Sequence, residues 1–552
     1  MKGLMMSDSL LVTRILDYAA RWHPEQEVIC RTTEGPIEAS TWKDVHRRAR
    51  QCSLALRKLG VREGDIVATL AWNTRCHLES WYGVMGLGAV CHTLNPRLFA
   101  ADLEYIVNHA EDAVLMFDAP LAPLVAQLAP RLRSVRAFVV LTDRGHMPQA
   151  PSASGSPPVL CYEELLAAEA GAEPGFAWVD VDENDACGLC YTSGTTGRPK
   201  GVLYSHRANY LHALMMVNVD SAALGSRSRV LAIVPMFHAN SWGLVFAAPL
   251  MGACLVLPGP HLDGPSVYHL LERYRCDFSA AVPTVCLALL QHLEATRQRL
   301  THLRLVCVGG SACPPSTIQK LEEVYGVEVR HQWGMTELCP MGTIGGLKGT
   351  LGALTKEQRL AIKSKQGRPS LFVDFRLVDR EGRVLPHDGR AQGELQVRGL
   401  HVAREYFRHK GSHDVTADGW FNTGDMANID QYGHVQLTDR SKDVIKSGGE
   451  WISSIDLENV AVGHPQVLEA AVIAIPHPKW DERPLLILVP HPAAPPPTPE
   501  DVLAFMQGKV AKWWLPDNCV LVKEIPHTAT GKISKLELRK QFKDYRLQRS
   551  RL

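Results

Sequence analysis

The sequence predicts an α/β protein: a large N-terminal domain of α/β layers with an additional β-subdomain, then a small α+β C-terminal domain. Three observations carry that prediction. A chain of 552 residues exceeds what one hydrophobic core organises. Helix-period and strand-like segments alternate through the first 120 or so residues, the βαβ pattern of a largely parallel sheet covered on both faces. Near 438–449 polar, charged "TDRSKD" and "VIKSGG" interrupt the pattern, and the remaining hundred or so residues make their own set. The domains are therefore drawn as 1–438, a connecting 439–449, and 450–552.

The elements follow in order. "TWKDVHRRARQCSLALRKLG" has helical spacing and stops on Gly60, a C-cap signal. "DIVATLAW" reads as a strand, and "HLESWYGVMGLGAVCHTLN" as a helix running into the next strand. "AVLMFD" and "RAFVVLTD" continue the alternation, and 145–159 is a Pro/Ser/Gly loop. "RVLAIVPM", "ACLVLPG" and "LRLVCVGG" are further strands. "FVDFRLVD" and "GELQVRG" read as antiparallel strands around a turn that begins at 380–382. Beyond the junction, "SSIDLENVAVGHP" is an amphipathic segment, "VLEAAVIAIP" and "LLILVP" are strands, and "PEDVLAFMQGKVAKWW" reads as one helix.

Bulk composition narrows the function. Fifty-nine basic against 58 acidic residues leave a formal charge of +1, which points to neither nucleic acid nor a membrane surface. No stretch approaches 18 uninterrupted apolar residues, and the start has no secretory-leader pattern. Fourteen scattered cysteines suit a reducing, cytoplasmic setting. Cys187 and Cys190 form a C-x-x-C, but on a strand they point to opposite faces, so they read as small hydrophobes.

"YTSGTTGRPKGV" (191–202) is the stretch richest in chemistry. Small and hydroxyl residues let backbone N–H groups approach a polyanion, and Lys200 adds charge. The spacing is not that of a Walker A loop, which excludes a P-loop kinase. Alone, such a stretch is more often a plain surface loop. It does not stand alone: "VPMFHANSWGL" follows at 234, "HQWGMTE" at 331, "GWFNTGD" at 419, "TDRSKDVIKSGGEWIS" at 438 and "PHTATGKI" at 526.

In this order and spacing the motifs resemble the adenylate-forming superfamily of acyl-CoA synthetases, luciferases and nonribosomal adenylation domains, over essentially the whole chain. "SWGLVFAAPLMGACLVLPGP", "RSKDVIKSGGEWISSIDLEN" and "HPKWDERPLL" are similar to the bacterial medium- and long-chain fatty-acid–CoA ligases. The resemblance implies an enzyme using ATP, Mg²⁺ and coenzyme A. A fatty acid would be activated as acyl-adenylate with release of pyrophosphate, and the acyl group passed to CoA with release of AMP. An aryl acid, or a carrier protein as acceptor, is the alternative on the same scaffold.

The same resemblance assigns residues. Thr192, Ser193, Gly194, Thr195, Thr196 and Lys200 would bind the β- and γ-phosphates, with Thr192 and Glu337 holding the metal through oxygen. Gly310, His331, Gln332, Trp333 and Thr336 would frame the nucleotide, with Trp333 offering a ring to adenine where relatives usually have tyrosine. Asp425 would accept from the ribose hydroxyls beside Arg440, and residue 422 is Asn where relatives often carry Arg. Lys532 would be the catalytic lysine, a cation between carboxylate and α-phosphate. His238 and Trp242 would border the acyl tunnel, His238 as a candidate catalytic group and Trp242 as its gate. Lys442, Gly448 and Gly449 would form a hinge that makes the C-terminal domain mobile, with Lys442, Lys446 and Trp451 reaching the nucleotide. Related enzymes dimerise through the N-terminal domain, so a homodimer is implied.

Overall fold

The structure is a computed structural model. It describes residues 1, 3–148, 157–192, 198–409, 414–440, 443–447, 450–492, 494–528 and 532–545, with the backbone alone at 450 and 451. Local signals explain many boundaries. The helix Trp42–Lys58 starts at a capping box, in which the Thr41 hydroxyl accepts from the Asp44 N–H at 3.2 Å and the Asp44 carboxylate accepts from the Thr41 N–H at 3.2 Å. It ends on two basic residues ahead of Gly60, whose φ of 83° is the left-handed turn that glycine permits.

Two seven-stranded sheets form where the alternation suggested one. The first runs Glu328–His331, Leu305–Val308, Phe278–Ala281, Arg229–Leu231, Cys254–Leu257, Glu27–Arg31 and Ile37–Thr41. The second runs Val159–Cys161, Ala137–Val140, Val114–Phe117, Ile66–Leu70, Val90–Leu94, Ala186–Tyr191 and Gly201–Ser205. All neighbours are parallel except the final pair of each sheet. The early segment thus feeds both sheets, Glu27–Thr41 joining the first and Ile66–Val140 the second. The inner faces share one core with the helices Val12–Trp22, Trp42–Lys58, Arg75–Met85, His206–Met216 and Leu244–Met251. The outer faces carry separate apolar layers. Strands buried on both sides are continuously apolar, so nothing in their sequence says which sheet they enter.

"RVLAIVPM" pairs as a strand only over Arg229–Leu231. Beyond it the buried Asn73 side chain donates to the Ala232 and Val234 carbonyls (2.7 and 2.8 Å) and accepts from the Met236 N–H (2.7 Å). A side chain thus replaces the ladder and leads the chain toward Phe237 and His238. A four-stranded antiparallel sheet, Val373–Val378, Gly393–Gly399, Phe421–Ile429 and Val435–Arg440, forms the β-subdomain and places Asp425 opposite Arg440 in register.

Past Ile445 a five-stranded sheet is built around the hairpin Val467–His477/Asp481–Pro490. It carries the helices Ser454–Val462, Pro499–Met506 and Lys535–Gln541. The helix read through "PEDVLAFMQGKVAKWW" stops at Met506. Gly508 turns the chain at φ 74°, and only a short 3-10 turn, Lys512–Trp514, follows. Among the described residues the apolar clusters of this unit begin at Ile445, and those of the larger unit end at Leu437. Cys187 and Cys190 do face opposite ways, into different clusters, and all fourteen cysteines are free.

Candidate active site

The end of the strand Glu328–His331 supplies a platform. Its His331 accepts from the Cys313 N–H at Nε2 (3.1 Å) and donates from Nδ1 to the Ser364 carbonyl (3.0 Å). Burial pulls this ring down to about 4, so it is a neutral brace between two loops with both nitrogens engaged. Gln332 follows, 5% exposed, its carbonyl so near Gly309 that a Cβ there would lie 2.8 Å away. The Trp333 indole packs edge-on against Phe375 at 5.6 Å and donates from Nε1 to Asp425 at 2.9 Å. The other Asp425 oxygen takes Arg440 at 2.8 Å. The carboxylate expected to meet ribose is therefore held from both sides, and the indole acts as donor as well as ring. The adjoining Thr336 carbonyl accepts from the Tyr204 hydroxyl at 2.7 Å.

Glu337 is 6% exposed, and Oε1 accepts from the Tyr406 hydroxyl at 2.6 Å. Burial raises its pKa, and Tyr406 and Arg440 pull it back. The Tyr406 ring also lies 4.3 Å from the Lys200 ammonium, which sits 3.3 Å from Asp414. At the neck of the 191–202 loop the Thr192 N–H donates to the Lys200 carbonyl (2.9 Å), and Thr192 Oγ1 accepts from the Lys200 N–H (3.3 Å). Sequence reasoning did not single out Tyr406 or Asp414. A tyrosine in "REYF" and an acid in a polar loop carry no local signal, and only the fold brings them to Lys200.

From the small unit, Lys532 reaches the same place. A Cβ built on Gly310, whose φ is 85°, would lie 3.9 Å from Lys532 Cε. Burial, reinforced by Arg440, pulls the Lys532 ammonium down to about 8, and Asp425 and Glu337 only partly offset this. Among the described residues no carboxylate pairs with it within 4 Å. His238 is pushed to about 3 by burial and by Lys532, so it is a neutral imidazole.

The segment after His238 is unusual backbone. Ala239, Asn240, Ser241 and Trp242 hold φ of 43°, 55°, 52° and 50°, and Gly243 follows at 77°. A left-handed turn of non-glycine residues costs roughly 1–2 kcal/mol for each. It presents Trp242, 9% exposed, so that Cη2 would lie 3.2 Å from a Cβ on Gly309, and Cζ2 3.7 Å from one on Gly310. The indole thus stands between the glycine loop and the interior.

Of the residues expected at the site, Lys200, Glu337, Trp333, Asp425, Arg440, Gly310, Lys532, His238 and Trp242 come together, with Thr192, Gln332 and Thr336 beside them. Lys446 does not join them: it is exposed on the strand Ile445–Ser447, its N–H taken by Glu482 at 2.8 Å. Ser193, Gly194, Thr195, Thr196, Lys442, Gly448, Gly449 and the Trp451 side chain lie outside the described residues.

The donor set fits Mg²⁺. A hydroxyl at Thr192 and one carboxylate at Glu337 would be hard oxygen ligands, and magnesium commonly takes one or two carboxylates, with phosphates and water completing the shell. Among the described residues no cluster of three or more His, Cys, Asp or Glu could hold a metal by itself. No helix among them is long and apolar enough to cross a membrane.

Known proteins match this arrangement along its whole length. Residues 16–407 match the AMP-binding enzyme family, and 456–532 match the AMP-binding enzyme C-terminal domain. The chain is 45% identical over 544 residues to a 3-methylmercaptopropionyl-CoA ligase of Ruegeria pomeroyi, covering 99% of each chain. It is 44% identical to a medium-chain-fatty-acid–CoA ligase of Ectopseudomonas oleovorans, covering 100% of this chain and 99% of the other. It is 47% identical to a long-chain-fatty-acid–CoA ligase of Thermus thermophilus, covering 98% and 97%. Among solved structures, an anthranilate CoA ligase in complex with anthranoyl-AMP superposes with a TM-score of 0.86 at 25% identity, covering 98% and 99%. The chain belongs to the AMP-binding enzyme family.

Proposed function

We propose that this enzyme is an ATP- and Mg²⁺-dependent fatty-acid–CoA ligase for medium- or long-chain acids. The observation that carries the proposal is that Lys532 lies by Gly310, its Cε 3.9 Å from a Cβ built there, within electrostatic reach of Asp425, Arg440, Glu337 and His238. A cation with no carboxylate partner among the described residues waits where nucleotide and acid residues meet. The acid and the α-phosphate are both anionic, and the Lys532 ammonium between them offsets their repulsion as the carboxylate oxygen attacks phosphorus and pyrophosphate leaves. Asp425, fixed by Trp333 and Arg440, receives the ribose. Lys200 and the loop it closes take the outer phosphates, where magnesium held by Thr192 and Glu337 would supply further charge neutralisation. His238, a neutral imidazole whose pKa burial and Lys532 pull down, lines the acid pocket. In the second half-reaction the CoA thiolate displaces AMP, after the small domain has turned about Lys442 and the Gly448–Gly449 pair.

The similarity to fatty-acid–CoA ligases supports the acid class. The equal similarity to a 3-methylmercaptopropionyl-CoA ligase favours a second reading, a short thioether acid as substrate. A ligation assay separates them: octanoate, palmitate, 3-methylmercaptopropionate and an aromatic acid are each supplied with ATP, Mg²⁺ and CoA, and thioester and AMP are quantified. Preference for octanoate or palmitate is the expected outcome. A higher kcat/KM for 3-methylmercaptopropionate overturns the fatty-acid assignment. Pyrophosphate release without thioester would point to a carrier protein as acceptor.

A further inference from the structure

The helix His206–Met216 contains none of the sequence motifs invoked so far, yet two of its side chains touch both halves of the site. Asn209 is 1% exposed, and all its hydrogen-bonding capacity is used. Its Oδ1 accepts from Asn240 Nδ2 at 2.9 Å and from the Cys339 thiol at 3.2 Å. Its Nδ2 donates to the Cys187 sulfur at 3.2 Å and to the Ser205 carbonyl at 3.4 Å, which fixes the amide on its own helix and the neighbouring strand. Both residues gripped by Oδ1 hold left-handed backbone without being glycine: Asn240 at φ 55° and Cys339 at φ 65°. Asn240 belongs to the turn that carries Trp242, and Cys339 closes the loop that carries Trp333 and Glu337. One turn further along the helix, His212 Nε2 accepts from the Met341 N–H at 3.3 Å, and a Cβ on Gly243 would come within 2.4 Å of its Nδ1. The helix therefore contacts the Trp242 turn at 240 and 243, and the nucleotide loop at 339 and 341.

We infer that Asn209 is a positioning residue of the acid pocket: one buried amide clamps the strained turn carrying Trp242 to the nucleotide loop at Cys339. It touches no reacting atom. Its effect is to hold two backbone stretches that would otherwise relax out of the left-handed region, and so to fix where the indole stands. The Ser241 hydroxyl, donating to the Val234 carbonyl at 2.8 Å, anchors the turn from its other side but does not reach the nucleotide loop. The inference rests on the proposal that Trp242 borders the acid pocket.

The test is steady-state kinetics over acids of increasing length, with ATP varied separately, on Asn209→Ala, Asn240→Ala, Cys339→Ala, Asn240→Gly and Trp242→Ala, each with its melting temperature. Asn240→Ala should shift the acid preference and raise the acid KM about tenfold while leaving the ATP KM within about twofold. Cys339→Ala should act mainly on the ATP KM, and Asn209→Ala on both. Adding Asn240→Ala to Asn209→Ala should change the acid KM by less than about twofold, because the shared bond is already gone. Asn240→Gly should recover most of the acid KM, since glycine holds a left-handed φ without the clamp. The inference is overturned if Asn209→Ala lowers the melting temperature but leaves acid preference and both KM values unchanged. It is equally overturned if Asn240→Ala keeps its full effect in the Asn209→Ala background. If Trp242→Ala alone leaves the acid profile unaltered, the pocket assignment fails. If Trp242→Ala alters it and Asn209→Ala does not, only the clamp fails.

Discussion

Lys532 and Lys535 stand three residues apart, both drawn out of solvent, and end in opposite surroundings. Lys535 meets Glu458 at 2.8 Å and the Ser454 hydroxyl. Burial works against its charge, but Glu458 and Asp439 outweigh burial and raise its pKa. Lys532 has no such partner among the described residues and is pulled down to about 8. The first lysine is neutralised and structural, part of the seam where Asp439 also receives the Ser454 N–H (3.0 Å) and hydroxyl (2.6 Å). The second has no counter-charge among the described residues, and in the proposed reaction the substrate anions would supply it. A lysine's role here is thus legible from what it lacks.

Breaking the comparison at its strong end, Lys532→Ala should lose adenylation by about a hundred- to a thousandfold, the scale of removing one preorganised contact to developing charge. Thioester formation from supplied acyl-adenylate and CoA should keep most of its rate, and the melting temperature should hold. Equal losses in both half-reactions would argue for a general binding defect instead. Lys535→Met should do the converse. It leaves Glu458 enclosed and unpaired, costing about 2–3 kcal/mol, at or just under the low end for a buried pair because both side chains keep some water contact. Calorimetry should show the small domain melting earlier. If its stability is unaffected, the contrast between the two lysines is wrong.

A third change sharpens the acidic side. Glu337→Gln keeps shape and removes charge, so adenylation should need about tenfold more magnesium, a charge-assisted contact being worth roughly 1.5–3 kcal/mol. An unaltered magnesium dependence would leave Glu337 a partner of Tyr406 only. The smallest effect is the pH profile. The active form of Lys532 is protonated and its pKa lies near 8, so kcat/KM for adenylation should be flat below that and fall about tenfold per unit above it. Because bound anions stabilise the ammonium, the fall in kcat should come at higher pH. Coincident breaks would mean that the lysine does not face the substrates.

Much of this was legible in the chain. The antiparallel reading of 372–399, the glycine stop at 60 and the opposite faces of Cys187 and Cys190 all rest on period and turn chemistry, which are local. The division into two sheets was not legible, because strands buried on both faces look alike. The helix at 499 was read too long, since apolar spacing continued past Gly508 and only the backbone shows the break. At the site, residues in motifs could be named, but the partners could not. Tyr406 between Lys200 and Glu337, and Asn209 beneath Asn240 and Cys339, are contacts between segments 69 to 206 and 31 to 130 positions apart. The left-handed turn at 239–243 is nearly silent in sequence too, with Asn240 and Gly243 its only residues that readily tolerate such a backbone.

Among the described residues the apolar clusters on either side of the proposed pivot share no member, so the small unit that bears Lys532 has its own interior. Its seam with the larger unit includes the hydrogen bonds from Ser453 and Ser454 to Thr438 and Asp439. Under the proposed function the lysine would be a tethered reagent whose effective concentration the connection sets. Cutting the chain at the pivot would turn a step independent of enzyme concentration into one that depends on the product of two fragment concentrations. A fragment beginning at the pivot, added to a Lys532→Ala chain, would have to displace the resident small domain before any adenylation returned.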